Sequence, residues 1–199
     1  MLAKIELIEG LHDEDFTSFR MVRAGLSSLS VIPEIAKGQM ASSVYTGMFL
    51  NPHIVHVVGY CEADHAARPD EIIESCKIVR GVIKDCLLGL PDITGDEDIQ
   101  KRKDELVREA NLLLNAIKKL GDGKVPDPWI APDVLAKAIK QGLLDAPNLK
   151  GNEFARGEVV TSIINGCCLA LHPDTCQPIS ESERLALLTP QIHHKSIFI

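Results

Sequence analysis

Aromatic residues, cysteines, long apolar runs and positive charge are all in short supply in this chain, and each shortage excludes a class of function. Aromatics make up 4% of 199 residues, which argues against an interface built on Trp and Tyr anchors but leaves helix–helix assembly open. Six cysteines are too few for a disulfide-dense scaffold. Cys76 and Cys86 fall at apolar positions of a predicted helix, where cysteine behaves as a small hydrophobe, so the expected compartment is the reducing cytoplasm. No apolar stretch approaches the ~18 residues of a membrane span. The opening Met1-Leu2-Ala3-Lys4-Ile5-Glu6 interrupts the apolar run that a signal peptide needs. A net charge of −7 is opposite in sign to the basic excess of a phosphate-binding surface. The one basic triplet, Lys101-Arg102-Lys103, lies among Asp98, Asp104 and Glu105 and reads as a solvated helix face. The expectation is a soluble protein with neither membrane nor nucleic acid as partner. P-loop, GxGxxG, GxSxG and HExxH signatures are also missing, which removes support for nucleotide-dependent transferase, hydrolase and zincin chemistry.

What is there is an ordinary globular composition, 45% hydrophobic and 25% charged, in a length that fits one domain with a real core. The pattern predicts an α/β protein dominated by helix. Leu2 to Ile8 alternates loosely, as a strand would. Asp13-Glu14-Asp15 supplies carboxylates for the first turn of a helix running to about Arg23. A second helix follows Pro33, with Ile35, Met40, Val44 and Met48 on its apolar side. After the Asn51-Pro52 turn, Ile54-Val55-His56-Val57-Val58-Gly59-Tyr60 is nearly continuous in β-branched residues, the pattern of a buried strand in a parallel sheet. Pro69 with Asp70 and Glu71 opens the next helix, whose apolar side is Ile72, Ile73, Cys76, Val79, Ile83, Cys86 and Leu87. This βα unit is the clearest in the chain.

The longest helix is predicted over Asp96 to Leu120. Its Leu106, Ala110, Leu113, Ile117 and Leu120 form a packing seam too short for a coiled coil. If the chain has an internal boundary, it lies near 121–131, where Gly121-Asp122-Gly123-Lys124 is followed by Pro126, Asp127 and Pro128. Beyond it the pattern predicts a short helix from Pro132 to Gln141 and a strand over Val159 to Leu171. Ser180 and Glu183 then form a capping-box pair for a brief helix to Leu188.

Chemistry is expected in Tyr60-Cys61-Glu62-Ala63-Asp64-His65. In α/β folds the loop after a strand's carboxyl end faces the ligand crevice, and the following helix offers unpaired amides there. Glu62 or Asp64 serves as general base or substrate anchor, and His65 as a donor of a proton or hydrogen bond. Tyr60, Cys61 and Arg68 complete a substrate-binding set, with Arg68 as the anion anchor. No metal is assigned to this set. The competing reading is that Asp64 caps the coming helix while Glu62 and His65 are surface residues. His56, a lone polar residue in an apolar strand, reads as structural. A weaker metal-ligand candidate is Cys167, Cys168, His172 and Cys176, whose spacing fits no standard zinc pattern. His193-His194 is weaker still, and the single Trp129 reads as a packing anchor.

Two stretches carry a family resemblance. One runs Ile54-Val55-His56-Val57-Val58-Gly59-Tyr60-Cys61-Glu62-Ala63-Asp64-His65-Ala66-Ala67 and continues into Ile72-Ile73-Glu74-Ser75-Cys76-Lys77. The other runs Leu143-Leu144-Asp145-Ala146-Pro147-Asn148-Leu149-Lys150-Gly151-Asn152 and resumes at Ala170-Leu171-His172-Pro173-Asp174-Thr175. Both resemble parts of the barrel-forming catalytic subunits of cobalamin-dependent, glutamate-mutase-like mutases, over about a quarter of the chain. The resemblance implies part of a (β/α) barrel, an isomerase component, with Glu62, Asp64 and His65 facing substrate. The Asp-x-His-x-x-Gly signature for cobalamin is missing, so a separate partner subunit would carry the corrinoid. The expected function is therefore a component of an enzyme acting on a small polar metabolite. The competing expectation is a non-catalytic helical subunit or interaction module, a homo-oligomer or the partner of another chain.

Overall fold

A computed structural model describes residues 1–25 and 28–194, with side chains up to residue 188. The protein is helix-dominated α/β with a small parallel sheet. Close packing divides it into two compact units, Met1–Asp104 and Glu105–Ile199.

The first unit holds α1 (Leu2–Glu9), β1 (Met21–Arg23), α2 (Pro33–Met48), β2 (Ile54–His56) and α3 (Pro69–Leu88). Proline opens both α2 and α3, because its fixed φ suits a first turn whose amides need no partner. In α2 the inner face is Ala36, Met40 and Val44, four residues apart and buried. Ile35, expected on that face, is half exposed, with Ala36 in its place. This face packs with Val79 of α3 and with Ala24, Leu29, Val58, Tyr60 and Cys61 into one core. Strands β1 and β2 pair in parallel, Val22 opposite Val55 and Arg23 opposite His56.

Three further expectations for this unit fail. Leu2–Glu9 is a helix rather than a strand, with Ala3 as its buried residue. Asp13 to Arg23 is not a helix: the Asp13 carboxylate accepts from the amides of Asp15 and Phe16 at 2.9 and 2.8 Å. That local bond closes a turn instead of starting a helix, and β1 follows. Strand β2 is also shorter than the apolar run suggests, spanning three residues with His56 exposed. Its buried continuation, Val58 to Cys61, leaves the sheet and turns.

In the second unit lie most of α4 (Glu97–Lys119), then α5 (Pro132–Lys140), β3 (Val160–Ile164), β4 (Cys167–Leu171) and α6 (Glu181–His194). The seam of α4 is core at its carboxyl end, where Ile117 is buried with Val134, Ala138 and Leu143, and Leu113 and Leu120 pack against them. At the other end of the seam Leu106 is exposed. The strand expected over Val159 to Leu171 is an antiparallel hairpin, Ile164 opposite Cys167. Asn165 and Gly166 both have positive φ, 50° and 77°, which is the two-residue turn that Asn-Gly favours. Ser180 and Glu183 form the predicted capping box, the Ser180 amide donating to Glu183 at 2.8 Å. Trp129, expected to be a packing anchor, is 43% exposed, and its Nε1 donates to the Leu114 carbonyl at 2.9 Å. No helix of the described residues is long and apolar enough to cross a membrane.

A carboxylate organises the loop before the hairpin. Asp145 accepts from the amides of Gly157 and Glu158 at 2.7 and 2.8 Å and from Val159 at 3.3 Å. Burial pushes its pKa up, but the amides of Glu158, Gly157, Ala146 and Val159 outweigh it and hold the carboxyl below its ordinary value. A depressed folded pKa contributes stability that is complete above the unfolded value, about 3.9, and disappears as pH falls through the folded value. Asp145→Asn is expected to cost about 1 kcal/mol near pH 6. The difference in melting temperature between the two proteins, followed by Trp129 fluorescence, narrows below about pH 3.9. A gap independent of pH contradicts this assignment.

Candidate functional site

The segment after β2 is held as a tight turn. The Glu62 amide donates to Gly59 O at 3.1 Å, and the amides of Asp64 and His65 donate to Cys61 O at 2.9 and 3.0 Å. Glu62 folds back so that its Oε1 accepts from the Gly59 amide at 2.6 Å. A Cβ on Gly59 would lie 2.9 Å from the Ala67 Cβ and 3.0 Å from that same carboxylate oxygen, so the turn closes only around glycine. On its far side the turn is pinned to α3: Tyr60 N donates to Ser75 Oγ at 3.2 Å, and Ser75 Oγ donates to Glu71 O at 2.8 Å.

Glu71 is the hub. Its side chain is 6% exposed, and it occupies the third position of α3. There its Oε2 accepts from the Arg68 amide at 2.8 Å, completing the helix cap. The same oxygen accepts from the Cys61 thiol at 3.3 Å. Its Oε1 stands 3.1 Å from His65 Nε2 and 3.0 Å from an Arg68 terminal nitrogen. The Arg68 amide bond, with His65, Cys61 and the Arg68 charge, outweighs burial and holds the Glu71 carboxyl at about 2. Burial, and then the Glu71 carboxylate, push the Cys61 thiol up, so it stays a protonated donor at neutral pH.

His65 lies between two carboxylates, Nδ1 2.9 Å from Asp64 Oδ2 and Nε2 facing Glu71. The bond to Asp64 and then that to Glu71 raise its pKa above the ordinary histidine value. Its side chain remains 43% exposed, and that of Arg68 64%. A buried anion thus holds an imidazole and a guanidinium that each keep an open side. Beside it, Lys37 of α2 pairs with Glu74 of α3 at 2.7 Å and lies 4.5 Å from the centroid of the buried Tyr60 ring.

All six residues read from the sequence therefore fall in this loop, but in different relations. Asp64, His65, Cys61 and Arg68 join one network, Cys61 buried within it. Glu62 braces the turn instead of joining them, and Tyr60 is buried beneath it. The residue that ties the network together, Glu71, read in the sequence only as a helix-opening acid. A glutamate three residues after a helix cap is the signal for it, hidden because Arg68 stands where the capping box has Ser or Thr.

Among the described residues, Cys167, Cys168, His172 and Cys176 are not gathered as a ligand set; the one group of three or more metal-binding side chains is Cys61, His65 and Glu71. His172 Nδ1 instead accepts from the amides of Asp174 and Thr175 in its turn. His193 and His194 lie outside the described side chains. The second unit has a cleft of about 720 Å³, lined by Asp145, Lys150, Arg156 and Arg184 among others. Two of its charged groups are engaged in structure: Asp145 caps three amides, and Arg184 pairs with Glu181 while donating to the carbonyls of Gly142 and Leu143. Chemistry rather than volume singles out the Glu71 loop. Compared with known proteins, the chain matches no family model and no curated protein.

Proposed function

We propose that the chain is a component of an enzyme acting on a small polar, carboxylate-bearing metabolite, bound at the loop from Gly59 to Arg68. The observation that supports it is the buried Glu71 carboxylate holding His65 and Arg68 side by side, each with a solvent-facing edge. A guanidinium presents paired donors that match a carboxylate, so Arg68 anchors the metabolite. His65 has both ring nitrogens engaged, with Asp64 and Glu71, and exchanges its bond to the exposed Asp64 for one to the bound molecule, to which it gives a hydrogen bond or a proton. Asp64 is the positioning residue, and Glu62 supports the turn. The resemblance to mutase subunits supports an isomerisation with a corrinoid on a partner subunit, and it is the sole support for that chemistry.

Arg68→Ala is expected to weaken metabolite binding by about 10- to 100-fold, the worth of a charge-assisted hydrogen-bonded pair. His65→Ala is expected to cut turnover more than binding. Isothermal titration across a panel of small carboxylates, followed by rate measurements, checks both. Unchanged binding and turnover in His65→Ala and Arg68→Ala would refute the proposal.

The reading as an interaction module draws on a different observation, the exposure of Leu87 and Leu88 at the end of α3, 77% and 81%. Sedimentation of wild type and Leu88→Glu tests its self-associating form: a shared monomer mass removes the homo-oligomer, and an oligomer lost in the variant favours it.

A further inference from the structure

We infer that Cys61, His65 and Glu71 form a binding site for a single divalent transition ion of zinc's class. This goes beyond the proposed metabolite site and does not depend on it. One thiol, one imidazole nitrogen and one carboxylate, each from a different point of the loop and α3, offer donor atoms that all lie within 4.8 Å of one another. Donors on a tetrahedral zinc stand about 3–4 Å apart, given bonds of about 2.0–2.3 Å. Glu71 Oε2 lies 3.3 Å from both Cys61 Sγ and His65 Nε2, already in that range.

The surroundings match what a metal-binding histidine needs. Zinc-binding imidazoles use one nitrogen for the metal and give the other to a carboxylate that fixes the ring. Asp64 takes His65 Nδ1 at 2.9 Å, which leaves Nε2 turned toward Cys61 and Glu71. Cys61 and Glu71 are buried while His65 is open, so an ion has a route in and a fourth position facing solvent. A mixed sulfur, nitrogen and oxygen set suits zinc or cobalt(II), not magnesium or calcium, which take oxygen. Coordination sends the Cys61 thiol proton to solvent and draws Glu71 partly from Arg68, whose exposed side chain swings away without disturbing the core. In sequence the set reads Cys-x3-His-x5-Glu, a spacing outside the standard zinc patterns.

The test uses the full chain stripped with a chelator and titrated with zinc chloride in competition with a chromophoric chelator. One equivalent is expected to bind, weakened at least 100-fold in His65→Ala and in Cys61→Ser, and unchanged when Cys167, Cys168 and Cys176 are all replaced by serine. His65 is exposed, so its variant keeps the fold if Cys61→Ser does not. With cobalt(II), a thiolate-to-metal absorption band is expected in wild type. No bound equivalent, an equivalent that survives His65→Ala, or one that disappears with the three distant cysteines overturns the inference. Titration of metabolite against the stripped protein separates this result from the metabolite site, since binding there without metal leaves the proposed function standing.

Discussion

Glu71→Ala is expected to lower the melting temperature of the first unit by about 5 °C or more and to open the turn from Gly59 to His65. The side chain caps α3 through the Arg68 amide, accepts from Cys61, and faces His65 and Arg68. Removing it leaves an amide and a thiol inside the fold with no acceptor, and a polar group stranded in this way costs more than the bond it lost. The same acid holds the cluster in shape, so amide exchange across 59–72 should accelerate while the α2–α3 core around Met40 and Val79 keeps its protection. Glu71→Gln retains one acceptor oxygen and is expected to fall between wild type and alanine. Hydrogen exchange read by mass spectrometry measures all three proteins. Equal protection at 59–72 in wild type and alanine variant would show that Glu71 is not the hub.

The largest effect in the second unit should come from Gly157→Ala. Gly157 has φ of 60°, where a side chain costs about 1–2 kcal/mol. A Cβ there would also run into the backbone nitrogen and Cα of Lys150 and the carbonyl carbon of Leu149. Backbone cannot swing aside as a lysine tip does. The chain must separate at 149–157, which also breaks the 2.7 Å bond from the Gly157 amide to Asp145. The total is expected to reach about 3 kcal/mol or more, a fall of over ~10 °C for a unit of this size. Trp129, the one tryptophan of the chain, reports it by fluorescence. A shift of a degree or two contradicts the geometry.

Legibility in the sequence followed the scale of the forces. Prolines at 33, 69 and 132 fix φ, so the starts of α2, α3 and α5 were readable. The β-branched run at Ile54 announced the parallel strand. What escaped were pairings set by distant residues. Met21–Arg23 is a strand because β2 lies beside it, and no local pattern encodes a partner 33 residues away. The hairpin turn was legible in Asn165-Gly166 but lay inside an apolar stretch that reads as one strand. In α3 the inner face begins with Glu71 and Ser75, both buried, so counting apolar residues placed Ile72 and Ile73 on a face they do not occupy. Those polar positions face inward because they close on the loop. The loop's own polar residues marked it as chemical; the carboxylate behind it was visible only once the helix was in place.

The most direct test of the site is a nuclear Overhauser measurement on uniformly labelled, metal-free wild-type protein near neutral pH. Contacts between the Cys61 β protons and the His65 ring, and between the His65 ring and the Glu71 γ protons, should appear, with both sets lost in Glu71→Ala. Their absence in wild type, or a His65 ring whose signals are the same in both proteins, would contradict the account of a thiol, an imidazole and a guanidinium gathered on one buried carboxylate.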